Sequence, residues 1–236
     1  MRKILTSLMV LMLIIGANFF VQAKSAENIL PEHKHTANCE KTATEPVQII
    51  CILDRSGSMQ PLTGDVIGGY NSFIEKQKQE SGKAEVTTVL FDDKYEKISD
   101  SVDIQKAEDL TSATYYARGN TALMDAIGRT INETLGSMEK NKICPAKRRV
   151  LIMIMTDGHE NASTEYDKAR VKSLIDLTTK NYDWNYIFIG ANIDSAAEAG
   201  SIGIKSSNAS NISADSEGVQ ESFRRMDIAA KEVRKK

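Results

Sequence analysis

Uninterrupted apolar runs alternate along this chain with longer stretches whose apolar residues recur every three or four positions. Residues 47–53 form an apolar run rich in β-branched side chains, closed by Asp54-Arg55-Ser56-Gly57-Ser58. A run of that length ending in a polar, glycine-bearing cluster predicts a buried strand entering a loop. Residues 84–91 alternate, are β-rich and stop at Asp92-Asp93; residues 95–104 read as a short edge strand and turn. Residues 150–155 and 183–190 are two further strands, and Ile202-Gly203-Ile204 a brief last one. Helical spacing marks residues 66–80, stopped by Ser81-Gly82, and residues 121–138, where Leu123, Ile127, Ile131 and Leu135 fall at four-residue steps. Asn120 or Thr121 is placed to cap that second helix. Residues 164–180, 193–200 and 215–235 are read as helices, with a polar loop over 206–213.

Strands alternating with helices predict an α/β chain: a Rossmann-like, doubly wound, mostly parallel sheet with right-handed crossovers and helices on both faces. Ligands on such sheets bind beyond the carboxyl ends of the strands. Asp54 and Asp157 both fall there.

The amino terminus follows a different pattern. Met1-Arg2-Lys3 is basic, residues 4–21 are largely apolar, and Val21-Gln22-Ala23 offers small or apolar residues at a cleavage point. This predicts a signal peptide over 1–23, or an uncleaved membrane anchor, since the apolar run approaches a spanning length of about 20 residues. Either places the remainder outside the cytoplasm: secreted, periplasmic or anchored in the cell envelope. Residues 24–45 lack any period and read as a flexible linker, leaving 46–236 as the domain. His33, His35 and Cys39 lie in that linker; three ligands on a flexible segment make a poor closed metal site, and a solvated linker is the plainer reading. Cys51 lies in the first strand as a small buried hydrophobe, and Cys39 and Cys144 fall in loops whose separation a sequence does not give.

Composition changes this picture little. Hydrophobic residues make up 41% of the 236 and charged ones 26%, within the globular range. The formal net charge is −2, and Lys147-Arg148-Arg149 is too short a basic run for a nucleic-acid module.

The chemistry concentrates in three loops. Asp54, Ser56 and Ser58 alternate, so in extended backbone their oxygens converge. Three hard oxygen donors at the end of a strand suit a hard divalent cation such as Mg²⁺. Gly57 and Gly64 would let the loop turn before the helix. Arg118-Gly119-Asn120-Thr121-Ala122-Leu123 puts a threonine just before an amphipathic helix, and the strand over 150–155 runs into Thr156-Asp157-Gly158. Taken singly, each polar residue is an ordinary cap or turn former. His159 reads as a solvent-exposed loop histidine, Glu160 as an acceptor behind the metal residues, and Asn161 as a loop-stabilising amide.

Strand–DxSxS, then GxTAL at a helix start, then strand–TDG, resembles the von Willebrand factor type A domain from residue 45 onward. The resemblance implies one antiparallel edge strand formed by residues 95–104. It also implies a metal-ion-dependent adhesion site with Asp54, Ser56, Ser58, Thr121 and Asp157 as the metal residues. In that pattern the serine hydroxyls bind Mg²⁺ (Mn²⁺ or Ca²⁺ in its place) directly. Asp54 and Asp157 act mostly through water, and Thr121 directly or through water. An Asp or Glu of a partner protein completes the shell. Gly68-Gly69-Tyr70-Asn71-Ser72-Phe73, Val89-Leu90-Phe91-Asp92-Asp93 and Phe188-Ile189-Gly190-Ala191-Asn192 resemble bacterial stand-alone proteins of this type, many of which have no export signal.

The function expected is therefore a metal-dependent protein-binding module for adhesion or assembly. A structural or assembly factor of the cell envelope, whose metal mainly stabilises the fold, is the alternative. A metal-dependent hydrolase is the remote third reading. A haloacid-dehalogenase-type phosphotransferase would need an acid where Ser56 stands, and neither a phosphate-binding GxxxxGK[ST] loop nor a GxSxG elbow occurs.

Overall fold

The computed structural model describes residues 45–235. The expected signal peptide, nearly all of the linker, the His33, His35 and Cys39 grouping and any pairing of Cys39 with Cys144 lie outside the described residues. Six strands form one sheet among the described residues: β1 Val47–Asp54, β2 Ala84–Phe91, β3 Tyr95–Asp103, β4 Val150–Thr156, β5 Asn185–Ala191 and β6 Ala209–Ile212. Their order is β3-β2-β1-β4-β5-β6. Only β3 runs antiparallel, paired with β2; every other neighbour is parallel. Five α-helices flank the sheet among the described residues: α1 Thr63–Gln79, α2 Leu123–Lys140, α3 Lys168–Tyr182, α4 Ser195–Ser201 and α5 Ser216–Lys235.

The central strand explains the two layers. All eight residues of β1 are buried. Its side chains alternate between faces, so Val47, Ile49, Cys51 and Leu53 join the core under α1 and α5. Ile50 and Ile52 join the core under α2, α3 and α4. Cys51 is a free, buried thiol in that packing, as its place in an apolar run predicts. The chain leaves β1 for β2 on one side and later returns to β4 on the other, which makes the β1/β4 junction the switch point of the sheet. Leu53 pairs with Met155, so the next residues, Asp54 and Thr156, reach the sheet edge side by side.

Several boundaries depart from the periodic reading. The last strand is not Ile202-Gly203-Ile204, which forms a turn with Gly203 at φ +88° and buries both isoleucines. It is β6, inside the stretch read as a polar loop. An edge strand with partly exposed side chains carries no apolar period, and its ladder to β5 leaves no local trace. Helix α3 begins at Lys168 rather than at residue 164 because Asp125 on α2 accepts the backbone N–H groups of Thr164, Glu165 and Tyr166 at 2.7–2.9 Å. The Asp167 side chain then caps the helix by accepting from Arg170 N. Asp183, expected in the fifth strand, ends α3 in the left-handed conformation at φ 55°. Gly64 lies inside α1 rather than in the loop after β1, and Gly57 opens a 3₁₀ turn, Gly57–Leu62, that precedes α1. Arg148, in the basic run before β4, is buried against Glu85 and Glu45.

Adjacent glycines on α1 give a test of the packing. A Cβ on Gly69 would lie 2.3 Å from the Phe223 ring of α5, whereas one on Gly68 meets nothing within 4 Å. Alanine favours a helix by about 0.8–1 kcal/mol over glycine, and overpacking a core costs roughly 1–3 kcal/mol. Urea unfolding should therefore find Gly68→Ala stabilising by up to about 1 kcal/mol and Gly69→Ala destabilising. Equal effects would contradict the α1–α5 contact.

Candidate metal centre

Four of the five expected residues form one hydrogen-bonded string at the β1/β4 edge. Asp54 is fully buried; its Oδ1 accepts from Ser56 N at 2.7 Å and its Oδ2 from Thr156 Oγ1 at 2.6 Å. Ser56 Oγ lies 3.2 Å from Ser58 Oγ, and Ser58 Oγ donates to Asp157 Oδ1 at 2.5 Å. Ser58 is not extended as expected but sits in the 3₁₀ turn, which brings it round toward Asp157. Thr121, buried at 3% exposure, closes the group from a third loop. It lies beside Gly158, where an added Cβ would stand 3.4 Å from Thr121 Oγ1 and 3.7 Å from Ser58 Oγ. All five residues thus share one edge, with Ser58 at the exposed rim.

Backbone bonds join the three loops. Gly57 N donates to Gly119 O at 3.1 Å and Arg118 N to Arg55 O at 2.8 Å. Gly119 has φ +66°, and a Cβ there would meet Asp93 Oδ1 at 1.9 Å, so only glycine fits. Tyr115, buried, donates its hydroxyl to Asp54 O at 2.5 Å.

Neither Asn120 nor Thr121 caps α2. The residue at its N-cap is Ala122, with no side-chain bond. The free N–H groups of the first turn are satisfied from the loop after Asp157: Met124 N donates to Glu160 Oε2 at 2.8 Å and Asp125 N to Ser163 Oγ at 3.0 Å. Glu160 also accepts from Ala162 N, Ser163 N and Ser163 Oγ. It therefore acts as a helix cap behind these five residues. His159 is exposed.

The electrostatics are unusual in one respect. Burial, partly offset by the Thr156 and Ser56 hydrogen bonds, pushes the Asp54 carboxyl from about 3.8 up to about 6, with the Asp157 charge adding to the rise. Burial raises Asp157 as well, against the hydrogen bond from Ser58. No Lys or Arg among the described residues is paired with either acid. The closest cation in sequence, Arg55, is fully buried but turned away: its Nε donates to Asp92 Oδ2 at 2.9 Å and its Nη2 to Glu96 Oε2 at 2.6 Å. Arg118 joins the same Asp92 oxygen at 2.7 Å. Both guanidinium groups face the Tyr116 ring, at 5.6 and 5.1 Å.

Two carboxylates and three hydroxyls, with no guanidinium or ammonium among them, fit a hard divalent cation bound by oxygen. The edge holds two acids, and no group of three His, Cys, Asp or Glu converges anywhere among the described residues. Thr156, Tyr115 and Glu160 are the site's supports that the motif reading left out or underused. Thr156 had a signal, since it ends the strand beside Asp54. Tyr115 had none, because its partner is a carbonyl 61 residues away.

A raised folded-state pKa means that Asp54 binds more protons folded than unfolded between pH 3.8 and about 6. Its contribution is then fully present below that window and lost as pH rises through it. In chelator, Asp54→Asn should gain stability on the parent by about 2–3 kcal/mol between pH 4 and pH 7, read from urea midpoints. A difference that stays flat with pH would contradict the buried carboxylate.

The sequence pattern of the von Willebrand factor type A domain matches residues 48–225. Among solved structures, proximal thread matrix protein 1 from the mussel byssus, described with a zinc-occupied MIDAS motif, is similar at TM-score 0.57 and 13% identity. That match covers 79% of this chain and 48% of the other. A von Willebrand factor type A protein from Catenulispora acidiphila is similar at TM-score 0.50 and 18% identity, covering 80% of this chain and 43% of that one. This chain thus spans a little under half the length of these solved chains. At such identities the likeness concerns the fold. No curated protein sequence matches.

Proposed function

Because the chain belongs to the von Willebrand factor type A family, we propose that its β1/β4 edge is a divalent-cation site of adhesion type that captures an acidic side chain of a partner protein. Domains of this family are commonly interaction modules. The observation that carries the reading is the uncompensated pair Asp54 and Asp157, one fully buried, held beside three hydroxyls and shielded from the neighbouring arginines by Asp92. A cation there offsets the burial of both acids. The mussel neighbour carries zinc in its own MIDAS motif.

Ser56 and Ser58 would hold the cation through their hydroxyls, with Thr121 beside them. Asp54 and Asp157 would act mainly through water. Bound there, Mg²⁺, or Mn²⁺ or Ca²⁺ in its place, supplies an electrophilic centre with a position for an incoming Asp or Glu carboxylate. The chain's own part is to keep the inner donors neutral and the rim open at Gly57 and Ser58, both exposed. We place the domain outside the cytoplasm, secreted or bound to the envelope, on the strength of the basic–apolar leader over 1–23. Among the described residues no helix is long and apolar enough to cross a membrane.

Isothermal titration of Mg²⁺ and Mn²⁺ into the purified protein tests the cation site. Saturable one-site binding is expected, lost in Asp54→Ala and Asp157→Ala while circular dichroism stays native. No binding by a folded parent would refute the reading. The alternative, a cation that mainly stabilises an assembly factor, has the burial of Asp54 in its favour. Under either reading chelator lowers stability by the linkage amount, about 2.7 kcal/mol at a hundredfold excess over Kd. The alternative differs in predicting that cation leaves partner capture unchanged.

A further inference from the structure

Thr121 is the one expected metal residue that lies outside the hydrogen-bonded string, and its loop is held at both flanks by other partners. Gly119 O accepts from Gly57 N, and Ala122 N donates to Asp92 O at 2.9 Å. The peptide groups of Thr121 itself go to Asn161. Thr121 N donates to Asn161 Oδ1 at 2.9 Å, and Asn161 N donates to Thr121 O at 3.0 Å. The ring so formed ties Thr121 to a residue four positions after Asp157. Next to it, Glu160 caps the helix that Thr121 precedes. Thr121 is buried, so its N–H has no solvent to fall back on.

We propose that Asn161 is the positioning residue of the cation site, holding Thr121 so that its hydroxyl faces Ser58 across Gly158. This rests on the cation reading given above. Asn161 touches no ion itself. Its side-chain oxygen and its backbone N–H set the Thr121 peptide, and the peptide sets where Oγ1 stands. A purely structural staple would leave cation affinity unchanged once the protein is folded. A positioning residue would alter affinity, and only while the Thr121 hydroxyl is there to be positioned.

The test is a double-mutant cycle read as Mn²⁺ dissociation constants by isothermal titration, with folding checked by circular dichroism. Asn161→Ala should weaken binding about tenfold, the scale of a residue that orients a metal ligand. Asn161→Asp, which keeps an acceptor for Thr121 N, should bind at least as tightly as the parent. In a Thr121→Ala background, Asn161→Ala should change affinity less than about twofold. Equal losses in both backgrounds, or no loss in either, would overturn the proposal. Amide exchange in chelator gives a readout independent of any cation: the Thr121 N–H is protected in the parent and released in Asn161→Ala. A fast-exchanging Thr121 amide in the parent overturns the positioning role. A parent that binds no Mn²⁺ while that amide stays protected instead refutes the cation reading on which the role rests.

Discussion

The carboxylate of Asp54 is buried at the end of a strand that is buried along its whole length, and no positive side chain reaches it. A sheet strand flanked on both sides and covered on both faces leaves its last residue no route to solvent. The carboxyl is therefore held by what the neighbouring loops present: a backbone N–H from Ser56 and the hydroxyl of Thr156. These bonds offset only part of the desolvation, and the like charge of Asp157 adds to it. Placing an acid there costs stability, and under the proposed reading a divalent cation is the group of matching charge and hardness that would return it.

The surrounding loops keep opposite charges apart. Arg55 stands between two of the donor residues in sequence, so its guanidinium would be the natural neutraliser of Asp54. Asp92 and Glu96 draw it the other way, and Arg118 shares the same Asp92 oxygen under the Tyr116 ring. That segregation leaves the donor side electronegative without removing arginine from the region. The same loops are linked by Gly57 to Gly119, by Arg118 to Arg55 and by Asn161 to Thr121, so the three donor segments form one connected edge.

The chain's pattern discloses much of this because the inner strands carry their own signal. Each of β1, β2 and β4 is an apolar or alternating run stopped by Asp, and the parallel, doubly wound sheet follows from their alternation with helices. The five motif residues lie at strand ends and a helix start, where local pattern and family resemblance point to the same edge. What the pattern withheld depends on tertiary partners. Ala209–Ile212 becomes a strand only because β5 offers it an open edge. The start of α3 is delayed by an aspartate on α2, and the cap of α2 comes from Glu160 and Ser163, 36 and 38 residues downstream. A capping rule applied to neighbours in sequence finds Asn120 and Thr121 instead. Thr121 is thereby released from capping, which leaves its hydroxyl for the site.

The most direct measurement of the central claim is a crystal grown with Mn²⁺ and examined by anomalous scattering at the manganese edge. One strong peak is expected at the β1/β4 edge, within coordination distance of the Ser56 and Ser58 hydroxyls and flanked by Asp54, Thr121 and Asp157. A peak elsewhere, or none at that edge in a crystal whose loops match those described here, would contradict it.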